Sequence, residues 1–281
     1  MPRVNARLAA QPGFALCVTG GIKRAAMTFA RFIALALLLV ATPLRAGQIQ
    51  VAAAADLRFA MDEIVSLFEK SHPDDRIEVS YGSSGKFYAQ IRNGAPFDLF
   101  FSADSELPEK LVQEGLAVPD VKPYALGRIV LWRPGSATRP LTLADLPRPE
   151  NRRIAIANPK HAPYGMRAVE ALKAAQVWDA VEKRLVFGEN IAQSAQFVQT
   201  GNADIGIIAL SLALAPAFAG KGSHTLIPAD LHQPLRQGFV ILKHGDGKAL
   251  AKAFAAFFAN PEVRQIMSRY GFSVPDTPAA R

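Results

Sequence analysis

Between residues 48 and 116, apolar runs of strand character alternate with segments of helical periodicity, joined by only a few residues each. Ile49–Ala54 is a short apolar run that reads as a strand. Leu57 to Lys70 places apolar residues at 57, 61, 64, 65 and 68, the spacing of one helix face. Arg76–Tyr81 alternates as a strand, and Lys86–Arg92 reads as a helix closed by Asn93-Gly94. Phe97–Phe101 is again a strand. Leu107–Glu114 is a helix with Pro108 in its first turn and Gly115 behind it. Strands joined through helices over such short distances require a parallel sheet with right-handed crossovers.

A second alternating set follows, with strands at 153–157, 184–187 and 205–209 and helices at 166–175 and 192–200. Two longer strands, 124–132 and 237–242, bracket it, and helices at 247–258 and 261–270 end the chain. The pattern predicts an α/β protein of two lobes joined by a double-strand hinge, with a cleft between them. Lobe I takes residues 47–126 plus 236–281, and lobe II takes 127–235. Ligands of open α/β sheets bind beyond the carboxyl ends of the strands, and a double hinge allows closure around them.

Residues 1–46 stand apart. Lys23, Arg24 and Arg31 lead into the apolar run Phe32–Ala41, then Thr42-Pro43-Leu44-Arg45-Ala46. Positive charge, a short apolar core and a small final residue describe a secretory signal cut after Ala46. The run is shorter than the about 20 residues that cross a bilayer. The leader holds six basic residues and no acid, so removing it leaves 26 Lys and Arg against 24 Asp and Glu. That near-balance gives no support to a nucleic-acid partner. The single cysteine, Cys17, lies in the leader ahead of the apolar run. The exported part therefore has no disulfide, cysteine metal site or lipid-attachment cysteine.

The stretch YGSSGKFYAQ, residues 81–90, carries the chemistry. It is not a phosphate-binding P-loop, because Ser80 stands at the first glycine position and Phe87 where a magnesium-binding hydroxyl is needed. Nor is it a nucleophile elbow, since Gly82-Ser83-Ser84-Gly85 is one residue short of G-x-S-x-G. What remains is a strand, a small-residue turn and a helix start. Either Ser83 or Ser84 caps the helix, or the amides of the turn, at the positive end of the helix dipole, hold an anion.

VAAAADL, YGSSGKFYAQIRNGAPFDLFFSAD, NPKHAPYGMRAVEAL, GENIAQSAQFV and ADIGIIAL, with EVRQIMSRYGF near the end, together resemble the periplasmic molybdate-binding proteins of ABC importers across essentially the whole mature chain. The resemblance implies a class II periplasmic binding fold. It also implies a cleft for molybdate or tungstate, delivery to an inner-membrane permease, a periplasmic monomer and no cofactor beyond the ligand. Such an oxyanion is held by neutral hydroxyl and backbone N–H donors. Each charge-assisted hydrogen bond is worth roughly 1.5–3 kcal/mol, and a few reach about micromolar affinity.

By position, the resemblance implies ligand loops at Ala55-Asp56, Ser83-Ser84, Tyr164, Ile191 and Ala209. Ser84 would give its hydroxyl. Tyr164 and Ile191 would give backbone N–H groups, with Asn190 capping the helix. Ala209 cannot supply the tyrosine hydroxyl that some members place there. Asp56 departs from the Ser, Thr or Asn of many members. A carboxylate about 4 Å from a dianion at an effective dielectric near 20 costs roughly 8 kcal/mol. Three outcomes are open: Asp56 turns away to cap its helix, is protonated and donates, or accepts from a protonated anion of the phosphate or arsenate kind.

The rival reading is an exported hydrolase using Asp56 or Asp98. None of the five histidines has i, i+4 spacing on a helix, so zinc hydrolysis is poorly supported. Asp98 and Asp104 read as a strand-end residue and a helix cap in preference to a glycosidase pair. His161 reads as a surface histidine near the site, and Lys86 as solvated or as a source of positive potential at the mouth.

Overall fold

The computed structural model describes residues 47–136 and 138–273. The leader and its expected cleavage after Ala46 lie outside them.

The first sheet opens with β1 (Gln48–Ala54), β2 (Arg76–Gly82) and β3 (Leu99–Ser102), and β1 pairs in parallel with both others. The intervening helices are α1 (Arg58–Ser71), α2 (Ser84–Arg92) and, after β3, α3 (Glu106–Gln113). β4 (Lys122–Gly127) finishes this stretch, and β5 (Ile129–Pro134) begins a second sheet. That sheet continues with β6 (Ile154–Ala157), α4 (Pro163–Ala174), α5 (Trp178–Val181), β7 (Leu185–Gly188), α6 (Ile191–Gln199), β8 (Ile205–Ala209), α7 (Leu210–Ala213) and β9 (Gly222–Leu226). β10 (Leu235–Ile241) returns to the first sheet, followed by α8 (Ala249–Phe257) and α9 (Pro261–Arg269).

The two sheets repeat one plan. Their orders are β2-β1-β3-β10-β4 and β7-β6-β8-β5-β9, and the fourth strand of each runs antiparallel to the third. The chain passes between sheets twice, at Arg128 and between β9 and β10. This is the two-lobe α/β architecture that the alternation predicts. The expected single strand over 124–132 is in fact two. β4 pairs with β10, β5 pairs with β8 and β9, and the Arg128 carbonyl between them accepts from Leu210 N–H. The polar edge strand β9, sequence GSHTL, has no apolar alternation to announce it.

Helices cover both faces of the first sheet, so its central strands β1, β3 and β10 are apolar on both sides. Ile49, Val51, Leu99, Phe101 and Phe239 face Met61, Phe68 and Phe254 from α1 and α8. Their neighbours Ala52, Phe100 and Val240 face Phe87, Ile91 and Leu111 from α2 and α3. This is the period-two alternation of pleated strands. A separate core surrounds the second sheet, built on Ile129, Leu131, Ile156 and Ile207, and it reaches Ala55 and Ala103 of the first.

Candidate functional site

Four helix starts stand at the carboxyl ends of parallel strands. β1 runs into a 3-10 turn, Ala55–Leu57, ahead of α1, and β2 runs through Ser83 into α2. In the second sheet, β6 is followed by the α4 start and β7 by the α6 start. Ala55, Asp56, Ser83, Ser84, Tyr164 and Ile191 all line one small cavity of ≈ 10 Å³. The residues expected from sequence thus meet around one point, contributed by both sheets. Ala209 is not among the lining residues; it caps α7, and Ser211, two residues on, donates its hydroxyl to the Asp56 carbonyl at 2.8 Å.

The starts of α2, α4 and α6 are suited to donate for physical reasons. The first N–H groups of a helix have no partner within it. In α4, Pro163 has no N–H, and Gly165 and Met166 both donate to the Ala162 carbonyl, which leaves the Tyr164 amide. In α6, the Asn190 side chain accepts from Gln193 N–H at 3.0 Å, the cap expected there. Ser84 is buried, and its Oγ accepts from Ala103 N–H at 3.0 Å. That bond uses a lone pair and leaves the hydroxyl proton to donate. Neither Ser83 nor Ser84 makes a side-chain cap bond to α2.

Ser83 Oγ instead lies 2.9 Å from His161 Nδ1, and the Gly85 N–H donates to the His161 carbonyl at 2.9 Å. A Cβ on Gly85 would come within 2.6 Å of that carbonyl oxygen, so only glycine permits the approach. His161 is therefore not the surface histidine expected: its side chain is 18% exposed and its Nε2 faces Glu189 at 3.7 Å. Burial holds its pKa below the usual value, against the opposing pull of Glu189. Lys86, read from sequence as solvated, is ion-paired with Glu189.

Asp56 follows none of the three expected courses in full. It is 1% exposed, and its carboxylate turns to Tyr164 and Gln237, with the amides of residues 56 and 57 at the start of its own helix nearby. Its Oδ2 accepts from Tyr164 O–H at 2.9 Å and Gln237 Nε2–H at 2.8 Å, and Gln237 also donates to the Tyr164 hydroxyl. Its Oδ1 is buried with no hydrogen-bond partner. Burial raises the Asp56 pKa to about 6, against the bonds from Gln237 and Tyr164 and the nearby amides of residues 56 and 57. Sequence reasoning missed Gln237 and Ser211. A polar residue inside the apolar run LRQGFVI was the available signal for Gln237, which is 1% exposed.

Asp98 and Asp104 do not form a pair for acid–base chemistry. Asp98 accepts from Gln50 N–H, His244 and Lys248, while Asp104 accepts from Glu106 N–H at the start of α3. Among the described residues no cluster of His, Cys, Asp and Glu could hold a metal ion. A larger hollow of ≈ 610 Å³ beside β4 and β10 is chiefly apolar and takes Gln237 but none of the other residues expected to hold a ligand.

Residues 49–273 match the model of the bacterial extracellular solute-binding protein family. The chain belongs to that family. This solute-binding protein is 39% identical over 245 residues to the molybdate-binding protein ModA of Azotobacter vinelandii, covering 86% of this chain and 96% of that one. It is 40% identical over 243 residues to ModA of Rhodobacter capsulatus, covering 85% and 94%. The solved periplasmic molybdate-binding protein of Azotobacter vinelandii superposes with a TM-score of 0.75 at 34% identity, covering 81% of this chain and all of the other. A solute-binding protein is a receptor and not an enzyme, which disposes of the hydrolase reading of Asp56 or Asp98.

Proposed function

We propose that the chain is the extracytoplasmic receptor for molybdate or tungstate of an ABC importer, and that it hands the anion to an inner-membrane permease. The observation that carries this reading is the meeting of Ser83, Ser84, Tyr164 and Ile191, from helix starts of both sheets, around one small cavity. Neutral donors at helix starts suit a tetrahedral dianion. No cationic side chain is among the residues that line the cavity. The ModA relatives support this choice of ligand, and no observation favours phosphate or arsenate. In this reading 47–126 with 236–281 closes on 127–235, the protein acts as a monomer without nucleic acid, and it reaches the periplasm by cleavage after Ala46. The ligand is the only small molecule required.

Titration calorimetry with molybdate, tungstate, sulfate and phosphate tests the reading. Molybdate and tungstate are expected to bind at about micromolar affinity or tighter, with the other two far weaker. At a ligand concentration of 100 Kd the melting point should rise by on the order of 5–10 °C. Absence of heat and of a melting shift with both metal oxyanions would sink the proposal. The mass of the mature protein purified from periplasm checks the cleavage site.

A further inference from the structure

Asp56 poses a problem that the donor set does not solve. Asp56 lines the same cavity as Ser83, Ser84, Tyr164 and Ile191, is 1% exposed, and keeps one carboxylate oxygen, Oδ1, without a partner. The other oxygen is fixed from two elements, by Tyr164 of α4 and Gln237 of β10. Ser211 of α7 holds the backbone of the same residue. A Cβ on Gly127 would lie 2.4 Å from the Tyr164 hydroxyl and 2.6 Å from Gln237 Nε2, so β4 closes the space behind this pair. The carboxylate is thus held from several sides and cannot swing out to water when a ligand arrives.

We propose that Asp56 takes up one proton when the oxyanion enters, so that capture of the dianion is coupled to protonation of this side chain. The inference rests on the oxyanion-receptor reading and adds a proton to it. The proton leaves a buffer acid or hydronium, whose bond to it breaks and whose conjugate base stays in solution, and forms one O–H bond on Oδ1; the ligand keeps both charges. Asp56 and ligand then carry two negative charges together, where an ionised Asp56 would make three. A protonated carboxyl has one donor and still accepts. Oδ2 keeps its bonds from Tyr164 and Gln237, while Oδ1, the oxygen without a partner, gains a proton to donate. Asp56 becomes one more neutral donor, in keeping with the rest of the cavity.

The titratable groups around Asp56 allow this assignment. With burial raising its pKa to about 6, Asp56 in the free protein lies about one pH unit from half-protonation at neutrality. A neighbouring dianion raises it further. Tyr124 of β4 and Tyr164 of α4 face the carboxylate, and burial pushes both phenols far above their usual value, so they stay neutral. His161, hydrogen-bonded to Ser83, has its pKa depressed by burial, which favours its neutral form. Lys86 and Glu189 pair with each other beside His161.

The test is calorimetry of the mature protein with sodium molybdate between pH 6.5 and 8.5, in buffers of different ionisation enthalpy. The proton count is expected to approach one per anion at pH 7.5, with Kd weakening by about tenfold per pH unit above pH 6.5. In Asp56→Asn the proton count should fall to zero and Kd should become independent of pH. Heat independent of the buffer, with a flat Kd in the wild type, overturns the proton coupling and leaves the receptor reading standing. Proton uptake that persists in Asp56→Asn overturns it too, by assigning the proton to the anion or another group. Failure of molybdate and tungstate to bind at any pH overturns the receptor reading itself. If Asp56→Asn does not fold, the wild-type proton count decides alone.

Discussion

The hydroxyl of Ser83, at the start of α2, lies 2.9 Å from Nδ1 of His161, in the loop between β6 and α4, and the backbone N–H of Gly85 reaches the carbonyl of the same histidine. One residue of the second half is thereby gripped through both its side chain and its backbone by the helix start of the first. His161→Ala removes the side-chain arm and keeps the backbone arm. A net hydrogen bond is worth about 1 kcal/mol, so the Kd for molybdate should rise about fivefold. Calorimetry of the variant checks this, and an unchanged Kd would show that the grip plays no part in holding the ligand.

Ser84→Ala should cost more. The Ala103 amide already occupies a lone pair of this hydroxyl, which leaves its proton to donate, in the proposed function to the anion. Losing a donor to a charged group costs roughly 1.5–3 kcal/mol, or about 10- to 100-fold in Kd. The Ala103 N–H also loses its acceptor, so a small fall in the melting point of the free protein should accompany it. Binding that survives Ser84→Ala unchanged would remove this hydroxyl from the ligand set.

Much of this arrangement was legible in the sequence because it depends on periodicity and on helix starts. The alternation of strand and helix through β3 gave the parallel part of the first sheet, and the small-residue turn before α2 narrowed the choice there to a helix cap or a cradle for an anion. What stayed hidden depends on long-range contact. Nothing local reveals that a single apolar stretch over 124–132 must serve two sheets and break at Arg128. Nor does local sequence show that Gln237, which is 181 residues from Asp56, would lie against its carboxylate. The polar strand β9 has the composition of a loop and is a strand only because β5 offers it an edge.

Asp98 makes a stability prediction. Its carboxylate is buried and accepts from Gln50 N–H, His244 and Lys248, which ties β1 to the segment leading into α8. Burial works against its charge, but the bonds from Lys248, Gln50 and His244 prevail and hold its pKa below the usual carboxylate value. A depressed carboxylate pKa contributes stability above the unfolded pKa, near 4, and loses it as pH falls through the folded value. Asp98→Asn should therefore lower stability at pH 7 by about 2 kcal/mol, and with it the melting point by on the order of 4–8 °C. The difference from wild type should shrink as the pH drops below about 4. A melting difference that is constant with pH would mean that the ionised form contributes nothing.

Gly85→Ala separates closure from folding. Gly85 is the second residue of α2, where alanine is a better helix former by about 1 kcal/mol. That gain is about the size of one net hydrogen bond, so it offsets the loss of the Gly85–His161 bond and the melting point of the free protein should change little. Yet the added methyl would sit 2.6 Å from the His161 carbonyl oxygen and 3.0 Å from its Cα, closer than side-chain carbons approach backbone. The α2 start must then move back from His161. That movement breaks the Gly85–His161 bond and draws Ser83 and Ser84 away from Tyr164 and Ile191. Affinity for molybdate should fall by at least about tenfold, equivalent to about 1.4 kcal/mol, mainly through faster release. Stopped-flow dissociation and melting of the ligand-free variant together check the split. Parallel losses of stability and affinity would point to a damaged fold, and an unchanged release rate would show that the two helix starts need not approach so closely to hold the anion.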